Sequence, residues 1–355
     1  YAYQAVPADS IFALDGSAWV HPGARVLAGQ AFTRIPSRSI RRHSIAQGHV
    51  YSSLAYTPER RGSWSPPIST ERVQEAQTLT ECGIAQVRQL RQSRPNSRDI
   101  VVGDGGYGNH EFLGGIQPTG VTGVARLRCD RVLYGPPPPY AGRGRPRVHG
   151  ERFTFKAPAT WPEPDEIVNL TDERYGEVRL VRWRGYHAHQ AADVSFEVIR
   201  AETHLQRDRP PKPLWLGCIN AEDFTAHDLW LAYDYRWSIE PGFAFRKQQL
   251  HWTLPRFQQP DRCDRWTYLV DLAYWVIFLA RELVPDKPLP WQKKLSVLTP
   301  GRVKQGLPWL FSAFTSPTRP VQTRGKSPGW TKGRPRTPLP RYKVTRKGSK
   351  RASGG

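Results

Sequence analysis

Two short apolar runs, each followed by an aspartate, constrain the fold of this chain most strongly. Ile11–Leu14 is followed by Asp15, and Ile100–Gly103 is followed by Asp104. Short apolar runs bounded by polar residues are typical of buried strands. We therefore predict two buried strands that each deliver a carboxylate to the C-terminal end.

The segments between these runs predict the remaining elements of an α/β domain. Ile45–Tyr56 mixes β-forming and polar residues and predicts one or two further strands. Glu71–Arg94 carries apolar residues at helical spacing and is followed by Pro95, which predicts a helix that ends there. The order strand–acid, strands, helix, strand–acid resembles that of RNase-H-like folds, which implies a mixed sheet flanked by helices.

The rest of the chain divides further by composition. Ala226–Gln249 and Asp261–Leu283 predict helices, and we interpret the second as a plain core helix. Residues 316–355 hold twelve Lys or Arg, six Pro and no acid, which predicts disorder. The predicted parts are 1–119 (first part of the catalytic domain), 120–222 (β-rich insertion), 223–290 (C-terminal helices) and 291–355 (basic, mostly disordered tail).

Charge and cysteine content limit the class of protein. The net charge of +21, from 52 Lys plus Arg against 31 Asp plus Glu, favours a polyanionic partner such as nucleic acid. The net charge does not separate a nucleic-acid-binding protein from a ribosome-associated or merely basic one.

The four cysteines show no metal-ligand spacing, and we expect them to be reduced, as in a cytosolic protein. Tyr268–Leu283 is too short and too charged to span a bilayer. Because the chain lacks Met and begins at Tyr1, we expect that an N-terminal segment is missing.

Four residues near the predicted helix Ala226–Gln249 stand at suggestive intervals. Tyr233, Arg236, Glu240 and Lys247 fall on one face of an α-helix. This spacing is equally compatible with a solvated face of salt bridges. Pro241 follows Glu240 directly and predicts a distortion one turn upstream, with no regular helix beyond Glu240.

The pattern Tyr-x2-Arg-x3-Glu-x6-Lys resembles the signature of DDE transposases from bacterial insertion sequences, in the branch named for Tyr-Arg-Glu-Lys. Asp15 and Asp104 match the first and second acids of that family, and the resemblance covers roughly 11–283. It implies that Asp15, Asp104 and Glu240 are catalytic and bind Mg²⁺ or Mn²⁺, with two ions expected. Two such ions about 3.5–4 Å apart stabilise attacking and leaving oxygens in phosphodiester cleavage, and Mg²⁺ prefers carboxylate oxygens.

The resemblance also implies DNA contacts and partners. Tyr233, Arg236 and Lys247 would contact phosphates, and Trp252 would stack on an unpaired base. For Trp252, a buried core position is an equally good interpretation. The implied partner is double-stranded DNA, both terminal inverted repeats and target, bound by a homodimer in the bacterial cytoplasm at the nucleoid.

The function that follows is cut-and-paste transposition at insertion-sequence ends. A catalytically inactive or truncated remnant that only binds DNA is the main alternative, and a simple RNase-H-like nuclease is a third. Histidines offer no competing chemistry: the spacing of His49, His187 and His189 does not predict a zinc site. We expect His187 and His189 to be strand neighbours and His110 to start or cap a helix.

Overall fold

The computed structural model describes residues 2–3, 5–34, 45–140, 142, 144–204, 212–312, 325, 333 and 338–344. Its strands are β1 (Ile11–Val20), β2 (Ala31–Arg34), β3 (Ile45–Tyr56), β4 (Pro67–Arg72), β5 (Ile100–Gly103), β6 (Thr122–Leu127), β7 (Val132–Tyr134), β8 (Arg152–Thr154), β9 (Glu166–Asp172), β10 (Gly176–Ala188), β11 (Ala191–His204) and β12 (Leu214–Ile219). Its helices are α1 (Leu79–Ser93), α2 (His110–Ile116), α3 (Ala226–Asp234), α4 (Ile239–Gln248), α5 (Pro260–Leu279) and α6 (Pro300–Ser312). Two compact units comprise Tyr1–Ser17 with Val50–Phe243, and Ala18–His49 with Ala244–Gly355.

Three parallel strands form the centre of the first unit. β5 lies between β1 and β6 and runs parallel to both, with Gly103 opposite Leu14 on one side and Ala125 on the other. All four residues of β5 are buried, as expected of a parallel strand that is covered on both faces. The mixed sheet with flanking helices confirms the predicted α/β fold class.

The first helix begins later than its apolar spacing predicts. The pattern predicts a helix from Glu71, but Glu71 belongs to β4 and α1 begins at Leu79. Thr78 and Glu81 form a capping box, in which each side chain accepts a hydrogen bond from the other residue's backbone N–H. The capping box fixes the helix start because it satisfies amide groups that have no acceptor within the helix.

Antiparallel strands extend the same sheet beyond β6. The order continues through β12, β11 and β10, and β9 and the β7–β8 pair lie against β10. Residues 120–222, predicted to be β-rich, contain strands β6 to β12. Because β6 pairs parallel with β5, the sheet has no break at the predicted boundary between residues 119 and 120. The four-part division of the chain stays a prediction, since the two compact units follow other boundaries.

The second unit contains α5 and α6, and a short pairing of β2 with the first residues of β3. α5 confirms the predicted core helix, since Tyr274, Trp275 and Phe278 are buried along it. α6 lies within the predicted tail, 291–355, but before the segment 316–355 whose composition predicts disorder; its Val303 is fully buried. Most of residues 313–355 lie outside the described residues. Within the described part of the chain, no helix is long and apolar enough to cross a membrane.

Candidate active site

Asp15 and Asp104 lie side by side on adjacent parallel strands. Leu14 of β1 pairs with Gly103 of β5, so the next residue on each chain segment is one of the two aspartates. Asp104 ends its strand as predicted. Asp15 was expected at a strand end but lies inside β1, which continues to Val20 because alternate residues after Asp15 are buried.

Backbone amides fix both carboxylates. The N–H of Gly16 donates to Oδ1 of Asp15 at 2.7 Å, and the N–H of Gly106 donates to Oδ1 of Asp104 at 2.8 Å. The turn after Asp104 leads into Tyr107, which is fully buried and whose hydroxyl lies 3.0 Å from the Ser52 hydroxyl. Tyr107 thus anchors the loop that carries Asp104 in the core.

Arg236 links Glu240 to Asp15. The chain passes from α3 through a 3-10 turn at Tyr235–Ser238 into α4, and Glu240 lies in the first turn of α4. Nη1 of Arg236 lies 3.2 Å from Oδ2 of Asp15 and 3.5 Å from Oε1 of Glu240. The structure therefore brings together the three acids that the sequence pattern predicted.

Pro241 does not interrupt α4, contrary to the sequence-based expectation. The helix is regular to Gln248, because a proline in the first turn replaces an N–H group that would have no intrahelical acceptor. The predicted upstream distortion is present as the 3-10 turn. Gly242 is required here for close packing, since a Cβ atom at this position would overlap the Ser65 hydroxyl.

Burial perturbs the protonation of Asp15 most strongly. Burial, followed by the negative charge of Asp104, raises the pKa of Asp15 to about 7. The guanidinium of Arg236 and the Gly16 N–H act in the opposite direction, and Glu240 adds to the increase. Nearby negative charges raise the pKa of a carboxyl group because they disfavour its ionised form.

A basic cavity of about 230 Å³ is lined in part by Tyr233 and Arg236. The ring of Tyr233 lies 6.0 Å from the Arg236 guanidinium, and burial raises the pKa of its hydroxyl. The cavity is also lined by Arg126 and Lys212, two cations that sequence analysis missed. Arg126 is the one charged residue in the sequence of β6 and the one exposed residue of this otherwise buried strand. A lone arginine within an apolar run is the sequence signal that could have indicated it.

An ion-pair network holds the end of α3. Nε of Arg60 lies 2.7 Å from Oδ2 of Asp234, and Nη1 of the same guanidinium lies 2.8 Å from Oδ2 of Asp172. The Tyr175 hydroxyl donates to Oδ1 of Asp234 at 2.7 Å. Since Asp234 stands between Tyr233 and the 3-10 turn that carries Arg236, this network positions both side chains. No sequence motif indicated it.

Two predicted DNA contacts belong to the second unit. Lys247 is half-buried near the end of α4, and its contact with DNA stays a prediction. Trp252 is fully buried, its indole N–H donates to the Thr267 hydroxyl at 2.9 Å, and the Arg246 guanidinium lies 4.7 Å from its ring. The prediction that Trp252 stacks on a base is therefore wrong, and the core interpretation agrees with its burial.

The remaining histidine predictions concern α2 and β10. α2 begins at His110, with Asn109 as its N-cap. His187 lies on β10, and His189 follows that strand immediately. The four cysteines, all within the described residues, form no disulfide.

The donor set formed by Asp15, Asp104 and Glu240 fits a hard divalent cation. All three side chains offer carboxylate oxygens, which Mg²⁺ and Mn²⁺ prefer over nitrogen or sulfur. The raised pKa of Asp15 shows that these negative charges are close enough to interact. Glu240 is about half exposed, so the site is open to solvent and to a substrate.

The mixed sheet flanked by helices is consistent with a nuclease domain of the RNase-H-like class. A sequence model of the family described as "DDE superfamily endonuclease" matches residues 3–190, which is more than half of the chain. The chain therefore belongs to this family. The matched range includes Asp15 and Asp104 and ends before Glu240.

Solved structures give distant similarities. The piggyBac transposase in a cryo-EM synaptic complex with hairpin DNA is 11% identical, with a TM-score of 0.40, over 88% of this chain and 56% of that chain. The Argonaute of Kluyveromyces polysporus with a guide RNA is 11% identical, with a TM-score of 0.24, over 62% of this chain and 24% of that chain. The chain thus spans little more than half the length of that transposase. Among curated proteins, none matches the chain significantly.

Proposed function

We propose that this protein is a transposase that cleaves DNA strands at the ends of an insertion sequence and joins them to target DNA. The observation that supports this most strongly is the arrangement of Asp15 and Asp104 on neighbouring strands with Glu240 beside them, linked by Arg236. Family membership supports a nucleolytic activity.

Asp15, Asp104 and Glu240 would hold divalent metal, Mg²⁺ or Mn²⁺, and we propose two ions. When bound, the metal supplies Lewis-acid stabilisation of the attacking and leaving oxygens of a phosphodiester. The protein's own contribution is positional. Amides of Gly16 and Gly106 orient one oxygen of each aspartate. The second oxygen of Asp104 would face a ligand, and that of Asp15 would be shared between the ligand and Arg236.

The surroundings of the acids suit a DNA backbone. Arg126, Lys212 and Arg236 line the cavity beside Tyr233, and a guanidinium binds phosphate oxygens as a bidentate donor. We propose that Tyr233 and Arg236 contact the phosphates next to the cleaved bond, and that Lys247 contributes a further phosphate contact. Double-stranded DNA, as terminal inverted repeat and as target, is the proposed partner, bound by a homodimer.

Metal-dependent cleavage of labelled DNA that carries the inverted repeats flanking the gene tests this proposal. We expect cutting and strand transfer with Mg²⁺ or Mn²⁺ and neither with EDTA. Asp104→Asn should reduce cleavage at least about 100-fold. It should leave DNA affinity within about twofold, since the cations that line the cavity remain in place. Asp130→Asn is a matched control, because Asp130 is exposed and pairs only with Arg128 among the described ion pairs.

The outcomes separate the alternatives. Binding without cutting by the unaltered chain would favour an inactive remnant, and cutting without joining would favour a simple nuclease. Full activity of Asp104→Asn would contradict the proposed site.

A further inference from the structure

Three buried side chains with metal-binding atoms meet in the second unit. His21 follows β1, His49 lies on β3, and Cys263 lies in the first turns of α5. Their potential ligand atoms all lie within 4.8 Å of one another. His21, His49 and Cys263 are 5%, 1% and 0% exposed, so the cluster is sealed from solvent.

The hydrogen bonding of His49 prepares one ring nitrogen for a metal. Nε2 of His49 lies 2.8 Å from the carbonyl oxygen of Ala28, to which it can only donate. This hydrogen bond selects the tautomer in which Nδ1 carries the lone pair. A backbone carbonyl that accepts the second N–H is the usual partner of a metal-binding histidine, because it fixes the ring orientation and increases its basicity.

His21 presents an unsatisfied polar atom at the same place. Its Nε2 is buried and has no hydrogen-bond partner among the described residues. Trp19 stacks on the His21 ring with a centroid distance of 5.1 Å, which fixes the ring without satisfying its nitrogen.

Packing alone is the competing explanation, and it accounts for only part of the arrangement. Stacking on Trp19 and the edge contact between the His21 and His49 rings, with centroids 5.4 Å apart, are compatible with an ordinary core. They do not account for a buried imidazole nitrogen of His21 that has no partner among the described residues, in a ring whose neighbours are a second imidazole and a thiol. Buried polar atoms in proteins are nearly always satisfied by a partner, a water or an ion.

We propose that His21, His49 and Cys263 form a structural Zn²⁺ site that is separate from the catalytic carboxylates. Two imidazoles and a thiolate are ligands that zinc prefers, with bonds of about 2.0–2.1 Å to nitrogen and about 2.3 Å to sulfur. The three ligand atoms already lie within 4.8 Å of one another. The site would tie the segment Ala18–His49 to α5 within the second unit. The soft thiolate separates it from the all-oxygen site of Asp15, Asp104 and Glu240.

Metal content and cobalt spectroscopy of the full chain test the proposal. We expect the protein purified from zinc-supplemented medium to hold one Zn²⁺ per chain, not displaced by excess Mg²⁺. Replacement by Co²⁺ should give a thiolate-to-metal charge-transfer band. Cys263→Ser should abolish this band. His21→Ala should lower Co²⁺ affinity by more than about 100-fold. Loss of a residue that only hydrogen-bonds to a metal ligand costs about 10–100-fold, so the larger effect identifies His21 as a ligand.

Two matched variants keep the result specific. Cys218→Ser alters a buried thiol of the first unit, and Asp104→Asn alters the carboxylate site; both should retain the band and the zinc. The zinc content and the cobalt band of the unaltered chain test the site even if a variant of the cluster does not fold. A folded, unaltered chain that holds no zinc and gives no cobalt–thiolate band would overturn it, as would a band that survives in Cys263→Ser or zinc that is lost in Asp104→Asn.

Discussion

Nη1 of Arg236 lies 3.2 Å from Oδ2 of Asp15, although 221 residues separate the two in the chain. The same nitrogen lies 3.5 Å from Glu240, one helical turn away. Arg236 therefore contacts two of the acids proposed to hold the metal and also lines the basic cavity beside Tyr233. A guanidinium in this position partly neutralises the carboxylates and can also bind a phosphate.

This double contact predicts opposite effects of one substitution on metal binding and catalysis. Arg236→Gln removes a cation that competes with the metal, and we expect about fivefold tighter Mn²⁺ binding, since charges at this separation interact by at least about 1 kcal/mol. Cleavage should fall at least about 100-fold with the loss of a phosphate contact. Calorimetric Mn²⁺ titration and a cleavage assay measure the two effects. Arg128→Gln, at an exposed pair, should change neither, and weaker Mn²⁺ binding by Arg236→Gln would contradict the assignment.

Gly83 on α1 packs against Leu14 of β1 and against Tyr107, in the turn after Asp104, and this packing predicts sensitivity to a single methyl group. A Cβ atom there would lie 2.6 Å from Cε1 of Tyr107 and 2.8 Å from Cδ2 of Leu14. Gly83→Ala should therefore lower the free energy of unfolding by about 1–3 kcal/mol through overpacking. It should also reduce cleavage by tenfold or more, since a displacement of about 1 Å can cost about 100-fold in rate. Gly301→Ala, where a Cβ would have no neighbour within 4 Å, should not lower the melting temperature. An unchanged melting temperature in Gly83→Ala would show that the packing has room to adjust.

Burial of Trp252 predicts a defect in stability without a defect in DNA binding. Trp252→Leu removes a buried ring and its hydrogen bond to Thr267, and we expect the free energy of unfolding to fall by about 3 kcal/mol or more. DNA affinity measured by fluorescence anisotropy at 25 °C should stay within about twofold. Loss of a base-stacking residue would instead cost about 1–3 kcal/mol of binding. Trp291→Leu, at a largely exposed position, is the matched control for loss of an indole.

The ion pair of Asp172 with Arg60 predicts a pH-dependent contribution to stability. Burial would raise the pKa of Asp172, but hydrogen bonds from Arg60 and from the backbone amides of Arg174 and Tyr175 lower it overall. A depressed folded pKa stabilises the protein above the unfolded value of about 3.9, and this contribution is lost as pH falls through the lower folded value. Asp172→Asn should thus lower the free energy of unfolding by about 1–3 kcal/mol at pH 7, with the difference shrinking below about pH 4.

Urea denaturation at pH 7, 5 and 3 measures this difference. Asp130→Asn serves as the control, because its exposed ion pair with Arg128 should contribute nothing measurable. An Asp172→Asn deficit of the same size at every pH would assign the residue a packing role in place of an electrostatic one.

Local pattern was sufficient for the strands and helices that carry the acids. The apolar runs before Asp15 and Asp104 predicted β1 and β5. The predicted helix Ala226–Gln249 is present as α3 and α4, with a 3-10 turn between them. Such predictions are possible because the order of apolar and polar residues along the chain determines which faces of a strand or helix are buried. The apolar spacing predicted that α1 begins at Glu71, but the capping box of Thr78 and Glu81 sets its start at Leu79.

Contacts between distant segments required the tertiary structure. The pairing of Leu14 with Gly103, the link from Arg236 to Asp15 and the burial of Trp252 depend on which elements pack together. The same holds for His21, His49 and Cys263, whose spacing in the sequence matches no metal motif. The sequence by itself thus determined the fold class and named the acids. Only packing decided which cations surround them and which histidines meet a thiol, because proximity between distant residues is a property of the folded chain.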